Sequence, residues 1–145
     1  MNYIIKSPET KSEWESYFNF RWEKLRKPLG LSKDSLKDDK EKESLHLIAI
    51  DNKDEVIGTG RLHFNSKKEG QIRYMAVSES IQRKGVGSDI VLELESMAKK
   101  NGTKEIVLNA RENAINFYLS LGYREIKPYL SDTGIPHTTM RKELT

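Results

Sequence analysis

The chain has 145 residues, a formal net charge of +3 and no cysteine, and 32% of its residues are charged. This length suits one domain, and the absence of cysteine excludes disulfides, a cysteine nucleophile and thiolate metal sites. The mixed charges do not demand a nucleic-acid partner. No apolar run reaches the roughly 20 residues that cross a bilayer, and no basic signal peptide opens the chain. We therefore predict one soluble, cytoplasmic domain over residues 1–145.

The first third of the chain predicts a strand, an amphipathic helix and a polar loop. Tyr3–Lys6 is a short strand, and Thr10 or Ser12 is placed to cap the helix that follows. Spacings of three and four predict a core-facing stripe made of Trp14, Tyr17, Phe18, Arg21, Trp22 and Leu25. Lys33–Ser44 is almost all Lys, Asp, Glu and Ser, so we predict an exposed loop or surface helix, with a mobile flap as the alternative.

The middle of the chain predicts three consecutive strands. They cover Leu45–Ile50, Glu55–Asn65 and Gln71–Val77, with short polar turns between them. Strands joined in this way form an antiparallel meander. Gly58 and Gly60 weaken the interior of the second strand, which indicates a bulge or a close backbone approach there.

A glycine-punctuated loop then joins the third strand to a long amphipathic helix that ends near Asn101. The loop reads QRKGVG over residues 82–87. The first N–H groups of a helix have no internal partner, and the helix dipole adds about half a positive charge there, so this loop suits a diphosphate. Its glycine spacing is neither that of a P-loop nor that of the dinucleotide fingerprint. An ordinary strand–helix turn on a basic surface loop is the alternative.

The last third predicts a strand, a short helix and two more strands. The strand Glu105–Asn109 follows a helix, so it should lie parallel to the preceding strand with a right-handed crossover. The remaining elements are a short helix that Gly122 ends, a strand Tyr123–Leu130 that Pro128 breaks, and a final strand His137–Lys142. The fold class is α/β, a mixed and mostly antiparallel central sheet with helices on both faces.

Two motifs in this half resemble the GNAT N-acetyltransferase superfamily. Residues 82–87 are similar to its acyl-CoA signature [RQ]-x-x-G-x-[GA], and residues 114–123, AINFYLSLGY, are similar to A-x-x-F-Y-x-x-x-G-[FY]. The motifs occur in the family's order and separation. The resemblance implies a GNAT-like fold, acetyl-CoA as co-substrate, no metal, and acetyl transfer to a primary amine by direct attack in a ternary complex. A non-catalytic acyl-CoA-binding or sensing module is the alternative.

The resemblance also implies a set of donor-binding residues. Backbone groups of the loop would hold the diphosphate, and those of the central strand would hold the pantetheine arm. The candidates are Met75, Ala76, Val77, Gln82, Arg83, Lys84, Gly85, Val86, Gly87, Ser88, Asn109 and Asn113. Many members carry Asn where this chain has Arg111, so that contact falls to one of the two asparagines. A freed N–H after a bulge, that of Val77 or a neighbour, would polarise the thioester.

Two residues are candidates for proton transfer. Tyr118 matches the family's usual acid, and a phenol with a pKa near 10 suits a departing thiolate; simple packing is the alternative. His137 opens the last strand and is the candidate base, with a turn histidine bonded to local backbone as the alternative. His63, Glu79 and ordered water are lesser candidates for the base. The three histidines show no metal-ligand spacing.

The sequence leaves the acceptor open. A small amine, an amino acid, a polyamine, an antibiotic or a protein amino group would each fit, and aminoacyl-tRNA gains little support from the small net charge. The far end of the first helix, with Phe20, Arg21 and Trp22, is a candidate wall of the acceptor pocket. Family members are often dimers, so a homodimer is left open.

Overall fold

The structure is a computed structural model that describes residues 2–145. Within that range the order of its seven strands and three α-helices is the one predicted from the sequence. The strands are β1 (Tyr3–Lys6), β2 (Leu45–Asp51), β3 (Val56–Phe64), β4 (Glu69–Val77), β5 (Glu105–Arg111), β6 (Arg124–Leu130) and β7 (Pro136–Glu143). The helices are α1 (Lys11–Leu25), α2 (Val86–Lys100) and α3 (Ile115–Ser120).

All of these strands form one sheet in the order β1-β2-β3-β4-β5-β7-β6. β4 and β5 are parallel neighbours joined through α2. Every other neighbouring pair is antiparallel. The predicted meander, the predicted parallel pair and the mixed, mostly antiparallel sheet are therefore confirmed.

The helices cover both faces of the sheet. Leu47 of β2 belongs to the large apolar cluster that contains the buried side of α2, whereas the next residue, Ile48, packs with Tyr17 of α1. Because successive residues of a strand point to opposite faces, α1 and α2 lie on opposite sides. α3 adds Tyr118 to the α2 side. No helix in the described range is long and apolar enough to cross a membrane.

α1 begins where the sequence predicts. The N–H of Glu13 donates to Thr10 Oγ1 at 3.0 Å, and the N–H of Thr10 donates to Glu13 Oε1 at 3.2 Å. This reciprocal pair is a capping box, so Thr10 rather than Ser12 starts the helix. The predicted stripe does face the sheet, and two of its members, Tyr17 and Arg21, are 0% exposed. A fully buried arginine needs partners.

The prediction that Pro128 breaks the sixth strand is wrong. β6 runs through Pro128 without interruption from Arg124 to Leu130. β6 lies at the edge of the sheet and pairs with β7 alone. A proline in an edge strand loses no ladder hydrogen bond when its nitrogen faces outward, so the strand tolerates it.

The prediction of an exposed loop or surface helix at Lys33–Ser44 holds for most of its residues, but the segment is also packed against the sheet. Leu36 is only 4% exposed. Asp38 lies 2.7 Å from Nη1 of Arg61, and Glu41 lies 2.8 Å from Nη1 of Arg21. The segment is therefore docked on the α1 face of the sheet by its carboxylates. Composition alone missed this because it does not show which cations a run of acidic residues will meet.

Because of the docked carboxylates, we expect the free energy of unfolding to decrease at acid pH. Burial alone would raise the pKa of both Asp38 and Glu41, but hydrogen bonds from Arg61 and Arg21 outweigh it and hold both pKa values below their ordinary range. The unfolded chain therefore takes up protons first as pH falls, and the free energy of unfolding should decline below about pH 4.5. Urea unfolding between pH 7 and 3 measures this. An Asp38→Asn variant should lose part of the decline, and a flat wild-type profile would contradict the account.

Candidate active site

The parallel strands β4 and β5 separate halfway along the sheet. Their pairing ends at Ile72 and Leu108, although both strands continue. Directly after this point β4 contains a bulge, because Tyr74 and Met75 together face one residue of β3, Gly60. A bulge bends its strand and increases its twist. The two strands thus open a cleft between their C-terminal halves.

Gly60 has no room for a side chain. A Cβ at this position would lie 2.7 Å from Cγ2 of Ile90 and 2.7 Å from Sδ of Met75. Contacts under 3.0 Å force a shift of the neighbours, so the glycine lets α2 and the bulged strand approach β3 closely. The predicted bulge or close approach is confirmed, and the bulge itself lies in the partner strand.

The bulge decides which backbone groups of β4 face the cleft. The N–H of Ser78 donates to the carbonyl of Ile57 in β3 at 2.9 Å. Because N–H groups alternate in direction along a strand, the N–H of Val77 points away from β3, to the side where β5 has separated. The extra residue of the bulge determines which N–H groups of β4 point to β3 and which point away from it. The N–H of Val77 therefore faces the opening between β4 and β5, and its role in catalysis stays a prediction.

The predicted diphosphate loop forms the N-terminus of α2. Gly85 precedes the helix in the left-handed conformation, with φ at 90°, and Arg83 is left-handed at 66°. Among the described residues, no hydrogen bond takes up the backbone N–H groups of residues 83–88, and the N–H of Asp89 is the first to bond, to Gly85. Unpaired N–H groups at a helix start, reinforced by the dipole, form an anion-binding site.

The loop carries exposed polar side chains and is tied to the first strand. Gln82, Arg83 and Lys84 are exposed. Near them the Tyr3 hydroxyl donates to the exposed carboxylate of Asp89 in the first turn of α2. This hydrogen bond raises the pKa of Tyr3. Two cations are therefore free to meet an anion at the loop, while β1 anchors the helix start.

The two sequence motifs meet in the cleft. A Cβ at Gly87 would lie 3.3 Å from Cζ of Phe117 and 3.4 Å from Cγ2 of Val77. The end of β4, the start of α2 and the helix α3 therefore converge on one point. This contact brings together the predicted donor loop, the predicted polarising strand and the helix that carries Tyr118.

Tyr118 is buried but keeps its hydroxyl free. Its ring packs edge-to-face against Phe117 and Tyr123, with centroids 4.9 Å and 5.7 Å away. The hydroxyl makes no hydrogen bond within the described chain, and it is not one of the solvent-inaccessible polar atoms that lack a partner. Burial raises the pKa of the phenol, so Tyr118 stays protonated at neutral pH.

His137 is the second residue of β7 and lies opposite Arg111 of β5. Its Nδ1 lies 2.7 Å from the carbonyl oxygen of Ile135. Because a carbonyl only accepts, Nδ1 carries the proton, and Nε2 is the basic nitrogen of the neutral ring. His137 thus makes the local backbone contact expected of a turn histidine. This contact uses Nδ1 and leaves Nε2 available to accept a proton.

The lesser candidates for the base are placed less favourably. Nδ1 of His63 lies 3.0 Å from Nη2 of Arg61, and Nε2 lies 3.1 Å from Oδ1 of Asn65, so both ring nitrogens are occupied. Burial, together with the Arg61 charge, lowers the pKa of His63. Glu79 is exposed in the 3-10 turn Glu79–Ile81 that follows β4. Within residues 2–145 no three histidine or carboxylate side chains are grouped to hold a metal ion.

The two candidate asparagines occupy different surroundings. Oδ1 of Asn109 accepts a hydrogen bond from Thr139 Oγ1 at 2.6 Å, so its amide N–H groups remain for a ligand. Asn113 lines a cavity of about 460 Å³ at the end of β5, together with Arg111 and Pro136. This cavity contains the arginine that replaces the asparagine expected from the family pattern.

A larger cavity lies between the end of α1 and the β6–β7 loop. Its volume is about 510 Å³, and its lining comprises Arg26, Leu29, Leu31, Ser35, Asp132 and Thr133. The predicted wall residues Phe20, Arg21 and Trp22 do not line it. Instead the indole of Trp22 donates to the carbonyl of Leu31 at 3.0 Å and so holds the lining segment in place.

A cluster of arginines lies beside the bulge and was not predicted from the sequence. Arg21 and Arg61 are both 0% exposed, and with Arg73 they surround the ring of Tyr74. A signal was present in the sequence, because Arg61 is the one charged residue, with histidine counted as neutral, in the strand Val56–Phe64. Its partner Asp38 comes from a segment that was predicted to be exposed.

Comparison with known proteins places this site in context. A family model described as an acetyltransferase (GNAT) domain matches residues 22–144. The uncharacterized N-acetyltransferase YjcF of Bacillus subtilis (strain 168) is 35% identical over 108 residues, which cover 73% of this chain and 75% of that protein.

Solved structures show the same fold at low sequence identity. An aminoglycoside 6'-N-acetyltransferase complexed with coenzyme A superposes with a TM-score of 0.81 at 18% identity and covers 97% of this chain and 96% of that one. Ard1 from Thermoplasma volcanium superposes with a TM-score of 0.81 at 22% identity and covers 100% of this chain and 99% of that one.

Proposed function

The chain belongs to the GNAT acetyltransferase family, and on this premise we propose that it transfers the acetyl group of acetyl-CoA to a primary amine by direct attack in a ternary complex. The whole chain would act as one catalytic domain. The observation that carries the proposal is the convergence at Gly87, where Phe117 and Val77 both lie within 3.4 Å of a Cβ position. That convergence brings the start of α2, the end of β4 and the helix that carries Tyr118 together, which supports a shared site for donor and reaction.

The donor site rests on backbone groups. The unpaired N–H groups of residues 83–88 support diphosphate binding, with Arg83 and Lys84 adding positive charge. Backbone groups of β4 from Met75 to Val77 would pair with the pantetheine arm as an added strand does. Asn109 or Asn113 would supply a side-chain amide to the same arm.

Transfer requires charge stabilisation and two proton movements. The N–H of Val77 would stabilise negative charge on the thioester oxygen while the amine nitrogen bonds to the carbonyl carbon. Tyr118 would give its proton to the sulfur as the carbon–sulfur bond breaks. His137 Nε2, or an ordered water, would take the proton that the amine loses. The reaction then leaves an acetamide and the free thiol of CoA.

The acceptor would enter from the 510 Å³ cavity at the end of α1. Arg26 and Asp132 contribute opposite charges to its lining, and Leu29 and Leu31 contribute apolar surface. A small molecule of mixed character or a peptide end would fit such a lining. One fold neighbour is an aminoglycoside 6'-N-acetyltransferase, so aminoglycosides belong in any test panel of amines.

Gly85→Ala tests the donor loop. Alanine at the Gly85 φ of 90° costs about 1–2 kcal/mol in the left-handed conformation, so we expect acetyl-CoA to bind about 5- to 30-fold more weakly. Calorimetric titration measures the change. Gly102→Ala is the matched control, because Gly102 has a φ of 85° and open space around it, but lies at the far end of α2. Equal loss of affinity in both variants would remove the loop from the donor site.

His137→Gln tests the base. Glutamine keeps a hydrogen bond to the local backbone but offers no basic nitrogen, so we expect kcat to fall by about 10²-fold with little change in acetyl-CoA affinity. Steady-state release of CoA measures this. An unchanged kcat would indicate that water accepts the proton of the amine and that His137 only contacts the local backbone.

The proposed function itself is tested by following CoA thiol release from acetyl-CoA. The full chain is incubated with a polyamine, an aminoglycoside, free amino acids and a short peptide in turn. At least one amine should raise the release rate by about tenfold or more over acetyl-CoA alone. Binding of acetyl-CoA without release for any amine would instead indicate a non-catalytic acyl-CoA-binding module.

A further inference from the structure

We propose that three arginines beside the β4 bulge act as positioning residues for the transfer reaction. Arg21, Arg61 and Arg73, here called the arginine cluster, would hold Tyr74 in a strained backbone conformation. That conformation maintains the bulge, and the bulge directs the N–H of Val77 into the cleft. The inference rests on the proposed function and names residues outside the donor motifs that the reaction needs.

The strain at Tyr74 is the first observation. Its φ is 58°, in the left-handed region, where residues with a Cβ are disfavoured. A left-handed residue at the first position of a bulge is ordinarily glycine. A tyrosine in this position therefore persists only because surrounding contacts over-determine it. Such strain is concentrated at functional sites.

The contacts around the ring are the second observation. Cζ of Arg21 lies 3.8 Å from the centroid of the Tyr74 ring, and those of Arg61 and Arg73 lie 4.8 Å from it. A guanidinium at this distance stacks on an aromatic face, and the attraction is strong where water is excluded. Tyr74 itself is 9% exposed. The ring is thus fixed by cations on its faces.

The backbone of Tyr74 is fixed as well. Its carbonyl oxygen accepts a hydrogen bond from the hydroxyl of Thr59 at 3.0 Å. Thr59 is 0% exposed and lies on β3 opposite Ala76. Contacts on both the ring and the carbonyl of Tyr74 leave the bulge a single arrangement.

The docked segment Lys33–Ser44 completes the arrangement. Glu41 bonds Arg21 at 2.8 Å and Arg61 at 2.6 Å, while Asp38 bonds Arg61 at 2.7 Å and Arg73 at 3.2 Å. Two carboxylates thus neutralise most of the cluster and aim its guanidinium planes. Nε of Arg21 and Nε of Arg61 lack a hydrogen-bond partner in the described chain, while the Nη atoms of both arginines are hydrogen-bonded.

A purely structural role predicts a different pattern of effects. If the cluster only stabilised the fold, any substitution that weakened it would lower stability and leave the kcat of the folded fraction unchanged. If it positions the bulge, a substitution that keeps the charge but removes the planar stack should lower kcat. Arg21→Lys is such a change, because lysine can still pair with Glu41 but cannot stack as a fork.

The test compares Arg21→Lys with Arg141→Lys in the full chain. Arg141 also pairs with two carboxylates, Glu69 at 3.1 Å and Glu105 at 2.5 Å, but stacks on no aromatic ring of residues 2–145. We expect Arg21→Lys to lower kcat by about tenfold or more, with CoA affinity held within about twofold, and Arg141→Lys to leave both unchanged. An unchanged kcat for Arg21→Lys, or equal losses in both variants, would overturn the inference.

A glycine at the strained position provides a rescue experiment. Tyr74→Gly adopts a positive φ without help from the cluster. Adding Arg21→Lys to Tyr74→Gly should therefore change kcat by no more than about twofold, because the two substitutions act on one element. A further tenfold loss in the double variant would show that Arg21 acts by another route.

Hydrogen exchange separates failure of this inference from failure of the proposed function. Exchange of the backbone amides in residues 72–78 reports on the bulge without any turnover. Arg21→Lys should accelerate it by about tenfold or more, and Arg141→Lys should not. Unchanged exchange in Arg21→Lys overturns the inference even if the wild-type chain is active. A wild-type chain that releases no CoA with any amine, but shows the exchange effect, overturns only the proposed function.

Discussion

Replacing Tyr118 with phenylalanine is expected to lower kcat by about 10³-fold, within the range of a lost general acid, while acetyl-CoA binds as tightly as before. The substitution removes one oxygen and keeps the ring. The ring contacts with Phe117 and Tyr123, at 4.9 Å and 5.7 Å between centroids, are therefore preserved. Any loss can be assigned to the hydroxyl.

The environment of Tyr118 explains why the loss should appear in turnover. Its hydroxyl has no hydrogen-bond partner among the described residues, so its removal leaves no buried group unsatisfied and stability should change little. Burial raises the pKa of Tyr118, so the phenol carries its proton throughout the neutral range. A departing thiolate would otherwise leave without a proton donor.

Tyr123→Phe is the matched control for this prediction. The Tyr123 hydroxyl donates to Glu95 Oε2 at 2.9 Å in the core, so its loss should lower the melting temperature and leave kcat unchanged. Steady-state CoA release and thermal unfolding are measured on both variants. Unchanged turnover in Tyr118→Phe would remove Tyr118 from the mechanism. Equal losses of kcat in the two variants would indicate a packing effect.

Arg61→Met is expected to lower the free energy of unfolding by about 3 kcal/mol, the low end for breaking a buried ion pair. Arg61 is 0% exposed and bonds Asp38 at 2.7 Å and Glu41 at 2.6 Å. Methionine preserves apolar bulk but leaves both carboxylates short of a cation. The low end applies because Arg21 and Arg73 still contact them.

Arg124→Met provides the control for Arg61→Met. Arg124 pairs with Glu143 across 3.9 Å, and both side chains are more than half exposed. Exposed pairs contribute little, so this change should stay within about 0.5 kcal/mol. Urea unfolding at neutral pH measures both variants. A loss below about 1 kcal/mol for Arg61→Met would show that the docked segment Lys33–Ser44 is not held by this network.

The order of the elements was predictable because it follows from local pattern. Each of the signals used is local and lies within a few residues of sequence: an apolar run, the turn at residues 51–54, or a glycine at a helix end. The strands β2, β3 and β4 could therefore be located without knowing what they pack against. The parallel pairing of β4 with β5 followed from the helix between them. The glycine loop that leads into α2 was predictable for the same reason, since its glycines and the helix start are adjacent.

The features that shape the cleft were not predictable, because they depend on contacts between distant residues. Nothing near Tyr74 in the sequence indicates a positive φ, which is set by arginines 53 residues earlier and 13 residues earlier in the chain. The docking of Asp38 on Arg61 spans 23 residues. Gly58 and Gly60 were the only sequence signal that indicated a bulge in this region.

The most direct test of the central claim is calorimetric titration of the full chain with acetyl-CoA, with CoA and ATP as comparators. The account predicts micromolar binding of both CoA forms, about −8 kcal/mol, because the loop at residues 82–88 holds a diphosphate and β4 holds the arm that ATP lacks. ATP should bind at least about tenfold more weakly. Absence of binding to either CoA form, or equal affinity for ATP, would contradict the assignment of this cleft as an acetyl-CoA site.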